Sequence, residues 1–249
     1  LVGLTSLTFS PAYEYANVKV FENPSDPKNS LIYFILIILF TIFVIILAKK
    51  SEKFLRFVMY SLLFISSFYV FYPFFGITSI IPSTIVLCIL LRKPNSLTIN
   101  VSAFLLACGV TAMFGISLEP IPVLILLAIL AIYDFIAVYS TKHMVDLAES
   151  IMKLKLPLLF IIPSKEKPII LGVGDVVIPN ILTVSAQTFL TSQTIFNIKV
   201  PALTTLMGGT VGLIVLIIFS ERFKSPHAGL PFINTGAILG FFIGCLMTS

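Results

Sequence analysis

The chain has 249 residues, of which 58% are hydrophobic and 11% charged, with a mean hydropathy of +1.09. A soluble domain carries about 25% charged residues, which excludes an ordinary water-exposed globular fold. The net charge of +5 matches the lysine and arginine excess of loops on one side of a membrane protein, and no basic-aromatic face suggests a nucleic acid partner.

Uncharged apolar runs long enough to cross a bilayer dominate the chain. Continuous runs, rather than alternation over about 10 residues, select helices over barrel strands. The expected fold class is all-α: a polytopic membrane helix bundle forming one integral membrane domain over residues 1–249. Leu1–Ser10 reads as the tail of a truncated first span, and Pro11–Ser30 as a polar loop. Complete spans follow at Leu31–Ala48, Leu55–Phe75, Ile77–Leu91, Leu97–Ile116, Ile121–Ser140, Ile169–Leu190, Pro201–Phe219 and Gly229–Met247. With the fragment, about nine transmembrane helices are expected, each near the length a bilayer requires. The chain divides into the helices of residues 1–140, a cytoplasmic segment at 141–168 and the helices of residues 169–249. Within the middle segment, the stretch from Ser140 to Phe160 reads as an amphipathic continuation of the preceding helix on the membrane surface. Cys88, Cys108 and Cys245 all fall inside apolar runs, and their odd number argues against a disulfide framework.

Charge tests this layout. Alternating loops at Lys49–Arg56, Arg92–Lys93, Thr141–Pro168 and Glu221–Ser225 hold 13 of the 16 lysines and arginines. Only Lys19, Lys28 and Lys199 fall on the other side. The positive-inside bias places the first set in the cytoplasm and the C-terminus outside.

Of the 11 acidic residues, only Asp134 and Asp175 lie well inside spans. An ionisable group there costs at least about 2.5 kcal/mol on insertion scales and marks a functional site by default. No lysine or arginine lies well inside any span, so a structural salt bridge is not the explanation. Asp134 precedes the cytoplasmic end of its span by six residues, and Asp175 follows the start of the next by six. At about 1.5 Å per residue both are expected roughly 9 Å below the same surface, able to face each other. Facing carboxyls share a proton. One then serves as general base on a water while the other hydrogen-bonds the carbonyl under attack, the chemistry of peptide hydrolysis without an acyl-enzyme. Gly172 and Gly174 remove side chains beside Asp175, admitting either a neighbouring helix or an extended substrate pairing as a strand.

Tyr133-Asp134 in one span and Gly172-Val173-Gly174-Asp175 in the next resemble the YD and GxGD motifs of the presenilin and signal peptide peptidase family of intramembrane aspartyl proteases. The resemblance covers the whole chain in topology and is most specific from Ile121 to Met247. It implies a fold of nine helices, catalysis by Asp134 and Asp175, and substrate contacts from Tyr133, Gly172, Val173 and Gly174. The family's Pro-Ala-Leu motif opens the last span. Its positional counterpart here is Gly229-Leu230-Pro231, whereas a literal Pro201-Ala202-Leu203 lies one helix too early. The resemblance further implies transmembrane or signal-peptide-like substrates cleaved within the lipid bilayer. No cofactor or metal and no accessory subunit is expected, as for an archaeal-type homologue.

Other readings stand beside this one. No His-Glu-x-x-His zinc motif and no Gly-x-Ser-x-Gly nucleophile elbow occurs, and His143 and His227 lie in loops. A proton- or cation-coupled transporter would use Asp134 and Asp175 as ion sites, with Gly172, Gly174 and Pro179 breaking a helix, but no second half repeats that pattern. A prepilin-peptidase-like GxGD protease is expected to have fewer spans and its first aspartate near a helix end.

Overall fold

The computed structural model describes residues 1–92, 95–141, 159–162, 169–223 and 228–248. Among them are nine α-helices: α1 Val2–Tyr15, α2 Lys28–Lys50, α3 Glu52–Phe75, α4 Ile80–Arg92, α5 Ser96–Gly115, α6 Pro120–Ile136, α7 Val173–Phe189, α8 Val200–Phe223 and α9 Leu230–Thr248. Two short antiparallel ribbons join them, β1 Leu159–Ile162 with β2 Ile169–Gly172, and β3 Thr194–Ile195 with β4 Ile198–Lys199. Six helical stretches are long and apolar enough to cross a membrane. One of them, Lys53–Arg92, joins α3, all but its first residue, to α4. The chain turns between them at Gly76, whose φ of 56° is left-handed and accessible to glycine at little cost. The polytopic helix bundle expected from composition is the observed architecture.

Local chemistry sets the helix ends. The Asp26 carboxylate accepts from the Lys28 backbone N–H at 2.9 Å, and the Ser51 hydroxyl from Phe54 N–H at 3.3 Å. Asn95 and Thr98 form a reciprocal capping box at the start of α5. Pro120 opens α6, where its missing N–H costs nothing.

Three expectations need correction. First, α1 does not stop at Ser10 but runs through Pro11 to Tyr15. Pro11 has no N–H for the Leu7 carbonyl, and the Ser10 hydroxyl donates to that carbonyl at 3.1 Å instead. Tyr13, fully buried, anchors the extra turn by donating to the Val70 carbonyl at 2.8 Å. Second, Leu159 and Phe160, expected to end the amphipathic helix, instead open a strand over Leu159–Ile162. Leu-Phe-Ile-Ile between Pro157 and Pro163 combines strand-favouring side chains with a helix breaker on each side. Residues 142–158, with the rest of the expected amphipathic helix and His143, lie outside the described residues, as does His227. Third, Ile169–Gly172, expected to begin a helix, is the partner strand. Asp175 therefore sits in the first turn of α7, and the depth calculation at 1.5 Å per residue does not apply to its approach.

The core lies around α7, which packs against α1, α5, α6, α8 and α9. Ile181, Leu182, Val184 and Ala186 on α7 are wholly buried, so Asp175 sits at the start of the most enclosed helix. In contrast, α2 is apolar on every side and leaves Leu31, Ile35, Leu36 and Leu39 exposed, as a lipid-facing helix does.

Helices α8 and α9 meet backbone to backbone. A methyl group added at Gly208 would strike the Gly236 carbonyl, and one at Gly236 would strike that of Gly208. Such small-residue seams supply close packing in membranes, where apolar lipid gives no hydrophobic drive between helices. Gly236→Ala is expected to destabilise the protein by about 1–3 kcal/mol, the range for overpacking. Gly209→Ala, whose methyl would lie 3.7 Å from Ala237 Cβ, should stay within about 0.5 kcal/mol. Thermal unfolding in detergent compares the two.

Candidate active site

Asp134 lies two residues before the end of α6, where a π-helical turn over Ala137–Thr141 takes over. It is therefore nearer a helix end than the span Ile121–Ser140 implied. Its side chain is 7% exposed, so its carboxylate requires partners. The Leu230 backbone N–H donates to Asp134 Oδ2 at 3.0 Å, and the Gly229 amide faces the same carboxylate. Both belong to the start of α9, whose first N–H groups have no helical acceptor and favour negative charge.

Asp175 arrives from the other side. Strand β2 ends at Gly172, the N-cap of α7, with φ −62° and ψ 136°. The chain turns there into the helix, bringing the Gly172 amide against the Asp175 carboxyl. A Cβ at Gly172 would lie 2.9 Å from Asp175 Oδ2, and one at Gly229 would lie 3.3 Å from the same atom. Gly229 thus touches both aspartates: its amide faces Asp134 and its α-carbon faces Asp175. The Asp134 charge acts on Asp175 directly.

A cavity of about 150 Å³ extends from Asp175 between α7 and α8, past Asn180, Thr183, Thr205 and Thr210. These side chains provide hydrogen-bonding partners for water within an otherwise apolar bundle.

The remaining candidate residues divide by position. Gly174 is exposed, and a methyl there would find only Ile178 Cδ1, at 3.9 Å. No helix among the described residues uses it for close packing. Val173 packs on the core. Tyr133 points toward α2, its ring 5.8 Å from that of Phe34. Leu230 is buried and Pro231 half-buried in the first turn of α9. Pro201, Ala202 and Leu203 open α8 at the far end of the bundle, where Pro201 Cα lies 2.6 Å from a Cβ built on Gly244, near the end of α9.

A family model described as signal-peptide peptidase, presenilin aspartyl protease matches residues 1–249. The chain belongs to this family of aspartyl proteases. Among solved structures, a presenilin family intramembrane aspartate protease in one crystal form is 31% identical, with a TM-score of 0.76, over 99% of this chain and 94% of that one. The same description in a second crystal form gives 30% identity and a TM-score of 0.73 over the same shares. The protein is an intramembrane aspartyl protease and an integral, multi-pass membrane protein.

Two residues of this protease that a search for charge passes over shape its surroundings. Asn234, one turn after Leu230, is fully buried and donates to the Leu127 carbonyl at 2.9 Å. Together with the Leu230–Asp134 bond it ties α9 to α6 at two levels. Asn100, on α5, holds strand β1. Their signal in the sequence was an uncharged amide inside an apolar span.

Gly172→Ala is compatible with the backbone but places its methyl on the Asp175 carboxyl. Displacing that carboxyl is expected to lower kcat about 100-fold, the scale for a misplacement near 1 Å. Gly174→Ala should leave Tm unchanged, because its methyl has room. Cleavage assays and thermal unfolding on both variants check the contrast.

Proposed function

We propose that Asp134 and Asp175 are the catalytic pair of this protease, hydrolysing peptide bonds of transmembrane segments. The observation that carries the reading is the first turn of α9. Its Leu230 amide bonds Asp134 while the preceding Gly229 abuts Asp175, so one backbone segment positions both carboxyls around a common space.

The reaction needs one carboxylate and one carboxylic acid. The carboxylate takes a proton from a water whose oxygen bonds to the substrate carbonyl carbon, while the acid gives its proton to the carbonyl oxygen. A neutral tetrahedral diol results. The aspartate now protonated donates to the amide nitrogen, the C–N bond breaks, and the other aspartate recovers a proton from a diol hydroxyl as the new carboxylic acid forms. No metal and no covalent acyl intermediate enters this sequence.

Tyr133, Gly172, Val173, Gly174, Gly229, Leu230 and Pro231 form the proposed substrate-binding surroundings. The exposed flank at Gly174 and the outer edge of β2 suit an extended segment that adds as a strand. The distribution of lysine and arginine favours a site near the cytoplasmic face and an external C-terminus. By analogy with presenilin, that orientation favours substrates whose N-terminus lies outside. Transmembrane or signal-peptide-like segments are the proposed substrate class, and the single chain acts without accessory subunits.

Asp134→Ala and Asp175→Ala should each lower cleavage of a purified transmembrane peptide by at least about 1,000-fold, within the range for a lost general acid or base, while remaining folded by circular dichroism. Cleavage at the wild-type rate by both variants would remove the catalytic assignment.

A further inference from the structure

Strand β1 is held from outside its ribbon by one side chain. Asn100 Nδ2 donates to the Ile161 carbonyl at 2.7 Å, and the Ile161 N–H donates to Asn100 Oδ1 at 2.8 Å. A carboxamide that meets both backbone groups of one residue reproduces what a neighbouring strand offers. Asn100 is in the first turns of α5, 61 residues away in the chain.

This contact determines the direction of every backbone group in the ribbon. In an antiparallel pair, the N–H and C=O of one residue point to the same side, and that side alternates along the strand. Because both groups of Ile161 face Asn100, they face away from β2. Ile161 pairs with Ile170, and Leu159 with Gly172, so these are the pairs without hydrogen bonds between them. Phe160 with Leu171 and Ile162 with Ile169 carry the ribbon's bonds. It follows that Ile170 and Gly172 direct their backbone groups to the outer edge of β2. The Gly172 amide on that edge meets Asp175, and the backbone groups of Ile170 face the same way. The outer edge of β2 and the Asp175 carboxyl are therefore on the same side of the strand.

We propose that Asn100 is a positioning residue for proteolysis: its carboxamide acts as a third strand on β1, closing that edge and holding β2 so that Ile170 and Asp175 face an extended substrate together. The residue of the substrate that pairs with Ile170 then fixes which peptide bond reaches the aspartates. Asn100 acts on the choice of bond and touches neither substrate nor carboxyl. The inference rests on the protease reading of Asp134 and Asp175.

Asn100→Leu removes both bonds while keeping the side chain's branching and heavy-atom number, and Asn100→Asp keeps the acceptor for Ile161 N–H but loses the donor. Both are assayed in the full-length protein with a transmembrane peptide. Cut positions are read by mass spectrometry, KM and kcat separately, and amide exchange over residues 159–162 in the absence of substrate. Asn100→Leu is expected to spread cleavage over neighbouring bonds and to lower kcat/KM about tenfold, the scale of a lost pair of net hydrogen bonds. It should also speed exchange at Ile161 while leaving α7 and α9 protected. Asn100→Asp should fall between Leu and wild type in all three, and carries the test if the Leu variant does not fold. The same bonds cut in the same ratio overturn the proposal, whether the rate is unchanged or falls only in step with Tm. A wild-type protein that leaves the peptide intact, as Asp134→Ala does, overturns the protease assignment and this inference with it.

Discussion

A carboxylate inside a lipid-embedded bundle requires donors, and the hydrogen bond from the Leu230 amide to Asp134 supplies one from the backbone. The position of α9 follows from that requirement. Its first turn must reach α6, which places Gly229 over Asp175, and only a residue without a side chain fits there without pushing on the second carboxyl. Asn234 repeats the attachment one turn further on. Buried polar groups that lose their partners in low dielectric are expensive, so the site and the α6–α9 packing stand or fall together.

The two aspartates were legible because lipid makes any ionisable residue conspicuous, whatever its neighbours. The importance of Gly229 and Leu230 came from resemblance alone, since neither letter carries chemistry and both act through the main chain. Asn100 and Asn234 escaped for a related reason: an amide bears no charge, and its value depends on a carbonyl or strand far off in the sequence. The strands were illegible at the level of pattern. Four apolar residues beside a proline fit the end of a membrane helix as well as a strand, and the sequence between β1 and β2, residues 163–168, carries no two-residue hairpin turn signal. Helix α1 passed through Pro11 because Ser10 replaced the missing donor, a substitution visible only with coordinates.

Glycines in membrane helices commonly serve close packing, but here two kinds separate. Gly208, Gly212 and Gly236 are used up by contacts between α8 and α9. Gly172 and Gly229 are used by a carboxyl oxygen. Gly174 has open space beside it, the condition expected of a flank reserved for something that arrives later. One residue type thus serves rigidity, electrostatics and access within a short distance.

The seam between α8 and α9 also constrains traffic. Where main chains touch, as at Gly208 and Gly236 and again where Gly212 meets the Phe232 carbonyl, there is no intervening layer of side chains to rotate aside. Two helices locked in this way behave as a closed wall. A segment diffusing sideways through the bilayer finds no doorway there, so the route by which a guest enters must open along another flank of the bundle.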